Sequence, residues 1–566
     1  MSSRTFATAA IILVSISVSL SLAAEIPHLK KQGSATQLIV DDKPFLVLGG
    51  ELGNTTSSNL QHMQPIWPLM TRMNLNTVLV AVAWDWVEPQ EGTYDFTLVD
   101  GLLEGARQNN LRVVFLWFGS WKNGISSFVP AWVKADSNRF PRVKIASGKS
   151  VEILSPLSDA NRDADTKAYT AFMKHLKEVD AERQTVIMVQ MQNEVGVLGD
   201  SRDRGDAAVQ AFASAVPGEL IQYLTNNRQT LNADLRQAWD AAGAKTAGTW
   251  KEIFGETPQA DEIFMAWHFA RYMDHMTAAG KKEYALPVFT NSWIVQPEDT
   301  KPGDYPSGGP EPLTLDIWKA GAPAIDFNAP DIYLPEFAEW TQRFHRADNP
   351  LFVPESRGDA RGAANAFYTI GRHDGIGYSP FGIEVVRRLV TGADDTTPMP
   401  ADIENLPLPR AYDILRQLAP VILENQGKDK TTAALLDAAK QTESVTVGEY
   451  AINFEIRRNR RHPEQMAERG YAIAIAVGAD EYLVAGQNIS VTFTPQTPGP
   501  AIAGIAWVQA GEYKDGQWNV TRRLSGDDIL INYKLAEAAA QNQSGSGLMF
   551  GPVGPTIQRV KLYRYE

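Results

Sequence analysis

The 566-residue chain contains no cysteine. This absence excludes disulfide bonds, catalysis by a thiol and attachment of a lipid through an N-terminal cysteine. Folding therefore depends on the burial of apolar side chains, and a chain of this length can bury a large core. Because a single core rarely grows beyond about 300 residues, more than one domain is expected.

Positive charge is scarce as well, since 53 lysines and arginines stand against 66 acidic residues and give a formal net charge of −13. Such a surface repels nucleic acids and anionic membranes, and it favours a neutral or cationic substrate. The histidines lack the spacing that is typical of metal ligands. We therefore predict no metal, no cofactor and no nucleic-acid partner.

Uncharged apolar runs of membrane-spanning length are also missing. The N-terminus has Arg4, an apolar and serine-containing run at residues 9–22, and the small residues Ala23 and Ala24 before Glu25. This run is too short for a comfortable membrane span, so residues 1–24 are predicted to be a cleaved signal peptide. The mature protein is then exported to the periplasm or medium of a bacterium and has no membrane span.

Two apolar runs that are present end in a glutamate. Residues 185–194, TVIMVQMQNE, have the length and composition of a strand buried on both faces, and residues 351–356, LFVPES, are a shorter example. In parallel α/β sheets, catalytic groups lie at the carboxyl ends of such strands. Glu194 and Glu355 are therefore predicted to share one active site.

Eight strand-like runs alternate with helical patterns over most of the chain. They are expected at residues 45–52, 77–84, 111–117, 185–194, 286–293, 325–333, 351–356 and 376–381. This alternation predicts a (β/α)8 TIM barrel with insertions. A doubly wound sheet is the competing architecture, but no glycine-rich phosphate-binding fingerprint follows the first strand.

The pattern changes near residue 443. Beyond that point, short runs alternate with period two between glycine, asparagine and proline, which predicts an antiparallel β-sandwich at residues 443–566. The catalytic barrel is assigned to residues 25–424. Residues 425–442 are charged and helix-prone, and we predict that they form a linker.

Two carboxyl groups are what glycoside hydrolysis requires. A protonated one donates to the leaving oxygen, and an ionised one acts at the anomeric carbon. Glu194, which follows the neutral donor Asn193, is predicted to be the general acid/base, and Glu355 is predicted to be the nucleophile. A separation of about 5–5.5 Å between the carboxyl groups indicates retention of configuration, and about 6.5–9.5 Å indicates inversion.

Other side chains at strand ends are candidates for binding an oligosaccharide or polysaccharide. Glu51, at the end of strand one, either binds sugar hydroxyls or pairs with a buried arginine. Trp117, Trp121 and Trp293 lie at or just beyond the ends of strands three and five, where an aromatic ring can stack on a sugar face. We therefore predict a sugar-binding role for these four residues.

The pairing of an Asn-Glu at the fourth strand with a lone Glu at the seventh resembles clan A of the glycoside hydrolases. Within that clan, MVQMQNEVG and WDWVEPQEGTYDF, residues 84–96, resemble the acid/base and second-strand motifs of the family 35 β-galactosidases. GGELGNT at strand one is similar to the related family 42. The resemblance covers the barrel. It implies a retaining mechanism, a hydrogen bond from Asn193 to the sugar 2-hydroxyl, and Tyr333 beside the nucleophile.

The chain departs from family 35 after strand three, where it has FLWFGSWKNG in place of an arginine-, proline- and glycine-rich stretch. Its C-terminal β-domain is similar to one found in a bacterial subgroup of that family, some of which act on xyloglucan side chains. The resemblance implies an exo-β-galactosidase that removes terminal β-D-galactosyl residues from oligosaccharides or plant-wall polysaccharides. The alternatives are another clan A β-glycosidase, an endo-glucanase and a non-catalytic carbohydrate-binding protein.

Overall fold

A computed structural model describes residues 25–390, 392, 400–458, 465–514, 516–531, 540 and 545–566. The signal peptide predicted at residues 1–24 lies outside the described residues. Within the described ranges, no helix combines the length and apolar character that crossing a membrane requires.

Parallel strands at the predicted positions form a closed barrel. Barrel strands one to eight are Val47–Glu51, Thr77–Ala83, Arg112–Lys122, Val186–Asn193, Val288–Trp293, Phe327–Ile332, Phe352–Val353 with Glu355–Ser356, and Gly377–Tyr378. Pro354 divides strand seven, because proline has no amide hydrogen to donate. The first half of that strand pairs with strand eight and the second half with strand six, so the sheet returns to its starting strand. The (β/α)8 prediction is confirmed.

Helices surround the barrel and follow most of its strands. The α-helices are Leu60–Met63, Ile66–Arg72, Trp84–Val87, Thr97–Gln108, Ala131–Ala135, Asp159–Asp180, Asp206–Ala213, Gly218–Asn226, Ala233–Ala241, Trp250–Phe254, Pro258–Glu283, Leu315–Gly321, Phe337–Phe344, Ala360–Arg372 and Pro407–Asn425. Short 3-10 helices are Thr56–Ser58, Val386–Leu389, Ile403–Asn405 and Gly526–Asp528, and a small antiparallel pair is Arg142–Lys144 with Ser150–Leu154. The helices between residues 206 and 254 form a helical insertion after strand four.

The barrel has its own apolar interior, built from side chains such as Leu79, Leu116 and Phe289. An N-terminal antiparallel sheet precedes strand one and consists of His28–Gln32, Ala35–Val40 and Lys43–Phe45. Its Leu38 and Val40 join the same interior. The amide of Asp41 donates to Gln184, just before strand four, so this sheet covers the end of the barrel opposite the strand-end glutamates.

The C-terminal region contains two antiparallel sheets. One has, in spatial order, Thr431–Leu436, Gly470–Gly478, Glu481–Gln487, Thr556–Tyr565, Ile502–Lys514 and Gln517–Leu524. The other has Thr442–Val447, Tyr450–Ile456, Ile489–Pro495, Ser546–Phe550 and Leu530–Ile531. Apolar side chains of both sheets share one core, which is the arrangement of a sandwich.

The helical structure predicted for the linker at residues 425–442 is wrong. Thr431–Leu436 forms an edge strand of the six-stranded sheet and pairs along its whole length with Gly470–Gly478. Strand formation depends on the neighbouring strand and on burial more than on intrinsic preference. The alanine and leucine content of TTAALL, which favours a helix in isolation, was therefore outweighed by pairing that the local sequence does not reveal.

The sandwich packs against helix Ala360–Arg372, which follows strand seven. A Cβ atom at Gly371 of this helix would lie 2.7 Å from Ile473 and 2.8 Å from Ala433. Glycine is needed at this close approach because any larger side chain would push the two elements apart. The β-domain thus supports the helix that follows the strand carrying Glu355.

Candidate active site

Three carboxylic acids meet at the carboxyl ends of barrel strands four, six and seven. One carboxyl oxygen each from Glu194, Asp331 and Glu355 lies within 4.8 Å of the other two. Only 5%, 3% and 5% of these residues' surfaces are exposed, respectively. The structure therefore brings the two glutamates singled out by the sequence into one nearly closed site.

An irregular end to strand four positions Glu194. Gln192 and Glu194 have φ angles of 57° and 47°, in the left-handed region that residues other than glycine rarely adopt. The amide of Glu194 donates to Oδ1 of Asn291 at 3.0 Å. The side chain of Gln192 turns toward the helices, where its Nε2 donates to Asp165 at 2.7 Å. Such strained backbone persists only where its surroundings fix it, as happens at many active sites.

The surroundings of Glu194 favour its protonated form. Burial, and then the charge of Glu355, raise the pKa of Glu194 to about 7. Lys122 and hydrogen bonds with Asp331 and Asn123 act in the opposite direction. A carboxyl with a pKa near neutrality can both donate and recover a proton, which is what a general acid/base must do.

Glu355 is held by Tyr333, whose hydroxyl donates to Oε1 of Glu355 at 2.8 Å. Burial raises the pKa of Glu355, whereas the charge of Lys122 and the hydrogen bond from Tyr333 lower it. Oε2 of Glu355 has no protein partner within the described residues. Tyr333 is 40% exposed, so its ring reaches the mouth of the site while its hydroxyl lies inside, beside the carboxyl group.

Asp331 is a third acid, which the sequence analysis missed. Its Oδ2 accepts a hydrogen bond from Nδ2 of Asn291 at 2.6 Å, and its carboxyl group is hydrogen-bonded to that of Glu194. Burial and the charges of Glu355 and Glu194 raise the pKa of Asp331 well above its ordinary value. Burial and the neighbouring negative charges therefore favour the protonated form of Asp331. The signal for it was its place near the end of the buried run FNAPDI, two residues before Tyr333.

Lys122 and Asn123 were also missed, because strand three extends five residues further than predicted, to Lys122. Lys122 is only 4% exposed, and its Nζ donates to Oδ1 of Asn123 at 2.7 Å. Nδ2 of Asn123 in turn donates to Glu194. This pair brings a positive charge and a hydrogen-bond donor to a site that is otherwise rich in acids.

Asn193 and Glu51, beside the acids, have polar side-chain atoms without hydrogen-bond partners in the described ranges. Oδ1 of the fully buried Asn193 accepts a hydrogen bond from the amide of Asn123 at 3.3 Å, and its Nδ2 has no partner among described residues. Glu51 is also fully buried, and neither of its carboxyl oxygens has a partner there. Burial and the charge of Glu355 raise the pKa of Glu51 well above its ordinary value. The alternative pairing of Glu51 with an arginine is not formed within the described ranges, and its sugar-binding role stays a prediction.

The stacking surface predicted at Trp117 and Trp121 is wrong. Both residues are fully buried. The Trp117 ring lies 5.3 Å from that of Phe172, and the Trp121 ring lies 4.6 Å from that of Tyr272. Because strand three continues to Lys122, these rings lie in the layer between the strands and helices and do not face the site.

Two tryptophans near the carboxyl-terminal end of the barrel, Trp293 and Trp86, are partly exposed. Trp293 ends strand five, and its predicted contact with sugar stays a prediction. Trp86, which the sequence analysis did not select, packs against the barrel interior, with its ring edge-on to Phe128 at 6.1 Å. Trp86 thus offers a second aromatic surface at the carboxyl-terminal end of the barrel.

The same three acids are the one group in the described part of the chain whose spacing suits a metal ion. Asn123 and Tyr333 already donate hydrogen bonds to Glu194 and Glu355, and burial raises the pKa of all three acids. Metal ligands must be deprotonated, so these surroundings suit proton transfer better than metal binding.

The raised pKa values of Glu194 and Glu355, and the effect of Lys122 on both, predict a pH dependence of activity. With Glu194 as the predicted general acid and Glu355 as the predicted nucleophile, we expect kcat/KM to fall as the pH rises through about 7, because Glu194 then loses its proton. It should also fall at low pH, as Glu355 becomes protonated at a pKa above its ordinary value. Lys122 lowers both pKa values, so Lys122→Met should move both limbs of the pH–rate profile to higher pH. Lys174→Met, at an exposed position of an outer helix, is the matched control.

A pH–rate profile that is the same in Lys122→Met as in the unaltered chain would contradict these assignments.

The pH dependence of stability gives an independent measure of the raised pKa of Glu194. Because folding raises the pKa of Glu194, its contribution to stability is fully present below the unfolded pKa and is lost as the pH rises through about 7. The free energy of unfolding of Glu194→Gln should therefore depend less on pH between about 5 and 8 than that of the unaltered chain.

Comparison with known families agrees with this geometry at the level of enzyme class. Residues 56–285 match the model of glycoside hydrolase family 42, described as Beta-galactosidase. Residues 408–534 match a model described as a domain of unknown function (DUF5597). Over residues 56–285 the chain is thus similar to glycoside hydrolases of the β-galactosidase type. The more specific assignment to family 35 is not confirmed.

A curated relative, the exo-β-D-glucosaminidase of Pyrococcus horikoshii, is 32% identical over 138 residues, which cover 20% of this chain and 17% of the relative. Crystal structures of β-galactosidases from Bacillus circulans sp. alkalophilus and Rahnella sp. R3 are 16% and 17% identical, with TM-scores of 0.45 and 0.44. Each of these alignments covers 67% of this chain and 57% of the other. This chain therefore spans little more than half the length of those enzymes.

Proposed function

We propose that the protein is an exported, retaining exo-β-galactosidase that removes terminal non-reducing β-D-galactosyl residues. The observation that carries this proposal is the approach of Glu194 and Glu355 to within 4.8 Å between carboxyl oxygens. This short separation fits the distance of about 5–5.5 Å between carboxyl groups in retaining enzymes. It leaves little room for the water that inverting enzymes hold between groups about 6.5–9.5 Å apart.

The proposed reaction has two steps. First, the carboxylate of Glu355 attacks the anomeric carbon and forms a glycosyl ester, while Glu194 gives its proton to the leaving oxygen. Then Glu194, now ionised, takes a proton from a water molecule, which attacks the same carbon and releases Glu355 as a carboxylate. Tyr333 steadies Glu355 through the bond described above, and Nδ2 of Asn193 is available to donate to the sugar 2-hydroxyl.

The surroundings of the pair support the finer parts of the proposal. The near-complete burial of both glutamates favours one terminal sugar in a pocket over a chain that passes through an open cleft. The match of residues 56–285 to a β-galactosidase model supports galactose. Plant-wall oligosaccharides, including xyloglucan side chains, are proposed from the resemblance of the C-terminal domain to one in a bacterial subgroup of family 35, some of which act on such side chains. Export is proposed from the signal peptide predicted at residues 1–24.

A terminal β-D-glucosaminide is a second candidate, favoured by the acidity of the site. Glu51 and Asp331 add two further carboxyl groups beside the pair of glutamates, and the ammonium group of an amino sugar would favour their ionised forms. One relative is an exo-β-D-glucosaminidase. Galactose is preferred because Asn193 offers a donor, which suits a hydroxyl better than an ammonium group.

A panel of aryl β-glycosides tests the proposed specificity. We expect kcat/KM for the β-galactoside to exceed that for the β-glucoside and β-glucosaminide by about tenfold or more, since a lost polar contact in a buried site is costly. Galactosylated xyloglucan oligosaccharides should then release galactose. A preference for the β-glucosaminide would support the second candidate, and no turnover of any of the three would contradict the proposal.

A further inference from the structure

A cavity of about 930 Å³ lies outside the proposed catalytic site. Its walls come from the helical insertion after strand four, helix Pro258–Glu283, the loop after strand five and helix Phe337–Phe344. Glu194, Asp331, Tyr333 and Glu355 do not line it. Cavities of about 300–1,000 Å³ are the size that proteins use to bind small molecules.

Two glutamates in the cavity wall are buried without a full set of partners. Glu262 and Glu311 are 1% and 2% exposed. One oxygen of each accepts a hydrogen bond from a hydroxyl group, that of Tyr305 at 3.0 Å for Glu262 and that of Ser292 at 2.7 Å for Glu311. The backbone amides of Gly308 and Val295 also lower the pKa of Glu262 and Glu311, respectively. Oε1 of Glu262 and Oε2 of Glu311 have no partner in the described ranges. Such buried acceptors are costly unless a donor meets them, so a ligand whose donors reach them would be stabilised.

The charge and the apolar surface of the wall indicate the kind of ligand. Five carboxyl-bearing residues line the cavity, and the only basic residue among its described lining is Arg343, which is already paired with Asp234 at 2.8 Å. The aromatic residues Phe254, Tyr305 and Trp340 share the wall. Aromatic faces attract cations, and the guanidinium group of Arg343 already lies over the Trp340 ring at 4.8 Å. The acids together with the rings of Phe254 and Tyr305 therefore favour a positively charged organic molecule.

We propose that this cavity binds a small organic ammonium ion with an aromatic or aliphatic body. The ammonium group donates to the free oxygens of Glu262 and Glu311, and the body packs against the aromatic wall. A divalent metal ion fits less well, because Ca²⁺ and Mg²⁺ require about six oxygen ligands or more. A neutral sugar would leave the two carboxyl groups in their protonated forms, so its binding would release no proton.

Proton release would distinguish a cation from a neutral ligand. Burial raises the pKa of Glu262 to about 7 and that of Glu311 to about 8, and the charge of Glu262 adds to the rise at Glu311. In the absence of a cation, the two groups hold protons for much of the time at pH 7. A bound ammonium ion favours their ionised forms, so binding should release roughly one proton at pH 7 and should weaken as the pH falls.

Isothermal titration calorimetry of the full chain with phenethylammonium chloride tests the proposal, with phenethyl alcohol as the neutral counterpart. We expect one ammonium ion per chain, a heat that varies with the ionisation enthalpy of the buffer, and binding about tenfold or more tighter than that of the alcohol. Glu311→Gln and Glu262→Gln should each weaken ammonium binding about tenfold or more. Glu339→Gln, at an exposed position of the lining, should change it little.

Three results would overturn the proposal. These are failure of phenethylammonium to bind, equal binding of the alcohol, and unchanged ammonium binding in both glutamine variants when thermal unfolding shows that they are folded. Competitive inhibition of aryl glycoside hydrolysis that persists in Glu311→Gln would place the cation in the catalytic site, and it would overturn the proposal as well. Because these readouts do not depend on glycoside turnover, the cavity can be tested even if the proposed activity proves wrong.

Discussion

Glu355→Gln should lower kcat/KM for an aryl β-glycoside by about 10⁴-fold or more, because an amide cannot form the glycosyl ester. The variant should remain folded. Its amide oxygen can still accept the hydrogen bond from Tyr333, and the charge that burial disfavours in the native carboxyl is gone. Steady-state kinetics and thermal unfolding, measured on the same preparation, distinguish a loss of catalysis from a loss of folding.

Glu404→Gln is the matched control for this prediction. Glu404 is an exposed glutamate that is paired with Arg72 at the surface, so its replacement should change neither kcat/KM nor the unfolding temperature appreciably. If Glu355→Gln kept activity within about tenfold of the unaltered enzyme, Glu355 could not be the nucleophile. A loss of activity accompanied by unfolding would point to a structural role for Glu355 instead.

Glu194→Ala should slow both steps of the reaction, and added azide should partly restore the rate. General acid–base groups contribute about 10²–10⁴-fold. A substrate with a good leaving group, such as a dinitrophenyl glycoside, needs little acid assistance, so its first step survives the loss of Glu194. Azide can then attack the glycosyl ester without a general base. Its product should be the β-glycosyl azide, which proton NMR identifies.

Which variant yields the β-glycosyl azide distinguishes the roles of the two glutamates. Glu355 variants lack the nucleophile, so azide should not yield the β-azide with them. A β-azide from a Glu355 variant and none from Glu194→Ala would reverse the two assignments. No azide product from either variant would contradict a glycosyl ester intermediate.

The barrel and its two glutamates could be predicted from the sequence because both depend on local pattern. Strands buried on both faces are continuous apolar runs, and the parallel topology places all their carboxyl ends together. Residues 185–194 and 351–356 therefore indicated both their structure and the place of Glu194 and Glu355. The position of Glu51 near these glutamates, at the carboxyl end of strand one, could be predicted in the same way.

The rest of the site depends on where strands end and on contacts between distant segments. Trp121 lies within strand three as the structure has it, so its ring turns into the helical layer, and Lys122 reaches the acids instead. Asp331 owes its importance to Glu194 and Glu355, which are far from it in the chain. The edge strand at Thr431–Leu436 likewise depends on a partner some 40 residues away. Local sequence carries little information about such pairings.

Mass spectrometry of the protein after reaction with an activated 2-deoxy-2-fluoro glycoside tests the central claim most directly. The sugar should be the one preferred in the aryl glycoside panel. Fluorine destabilises the cation-like transition states of both steps, and a dinitrophenolate leaving group lets the first proceed, so the intermediate accumulates. We predict one glycosyl group per chain, on the peptide that contains Glu355, and none in Glu355→Gln. A label on another residue, or inversion at the anomeric carbon with no label, would contradict the claim.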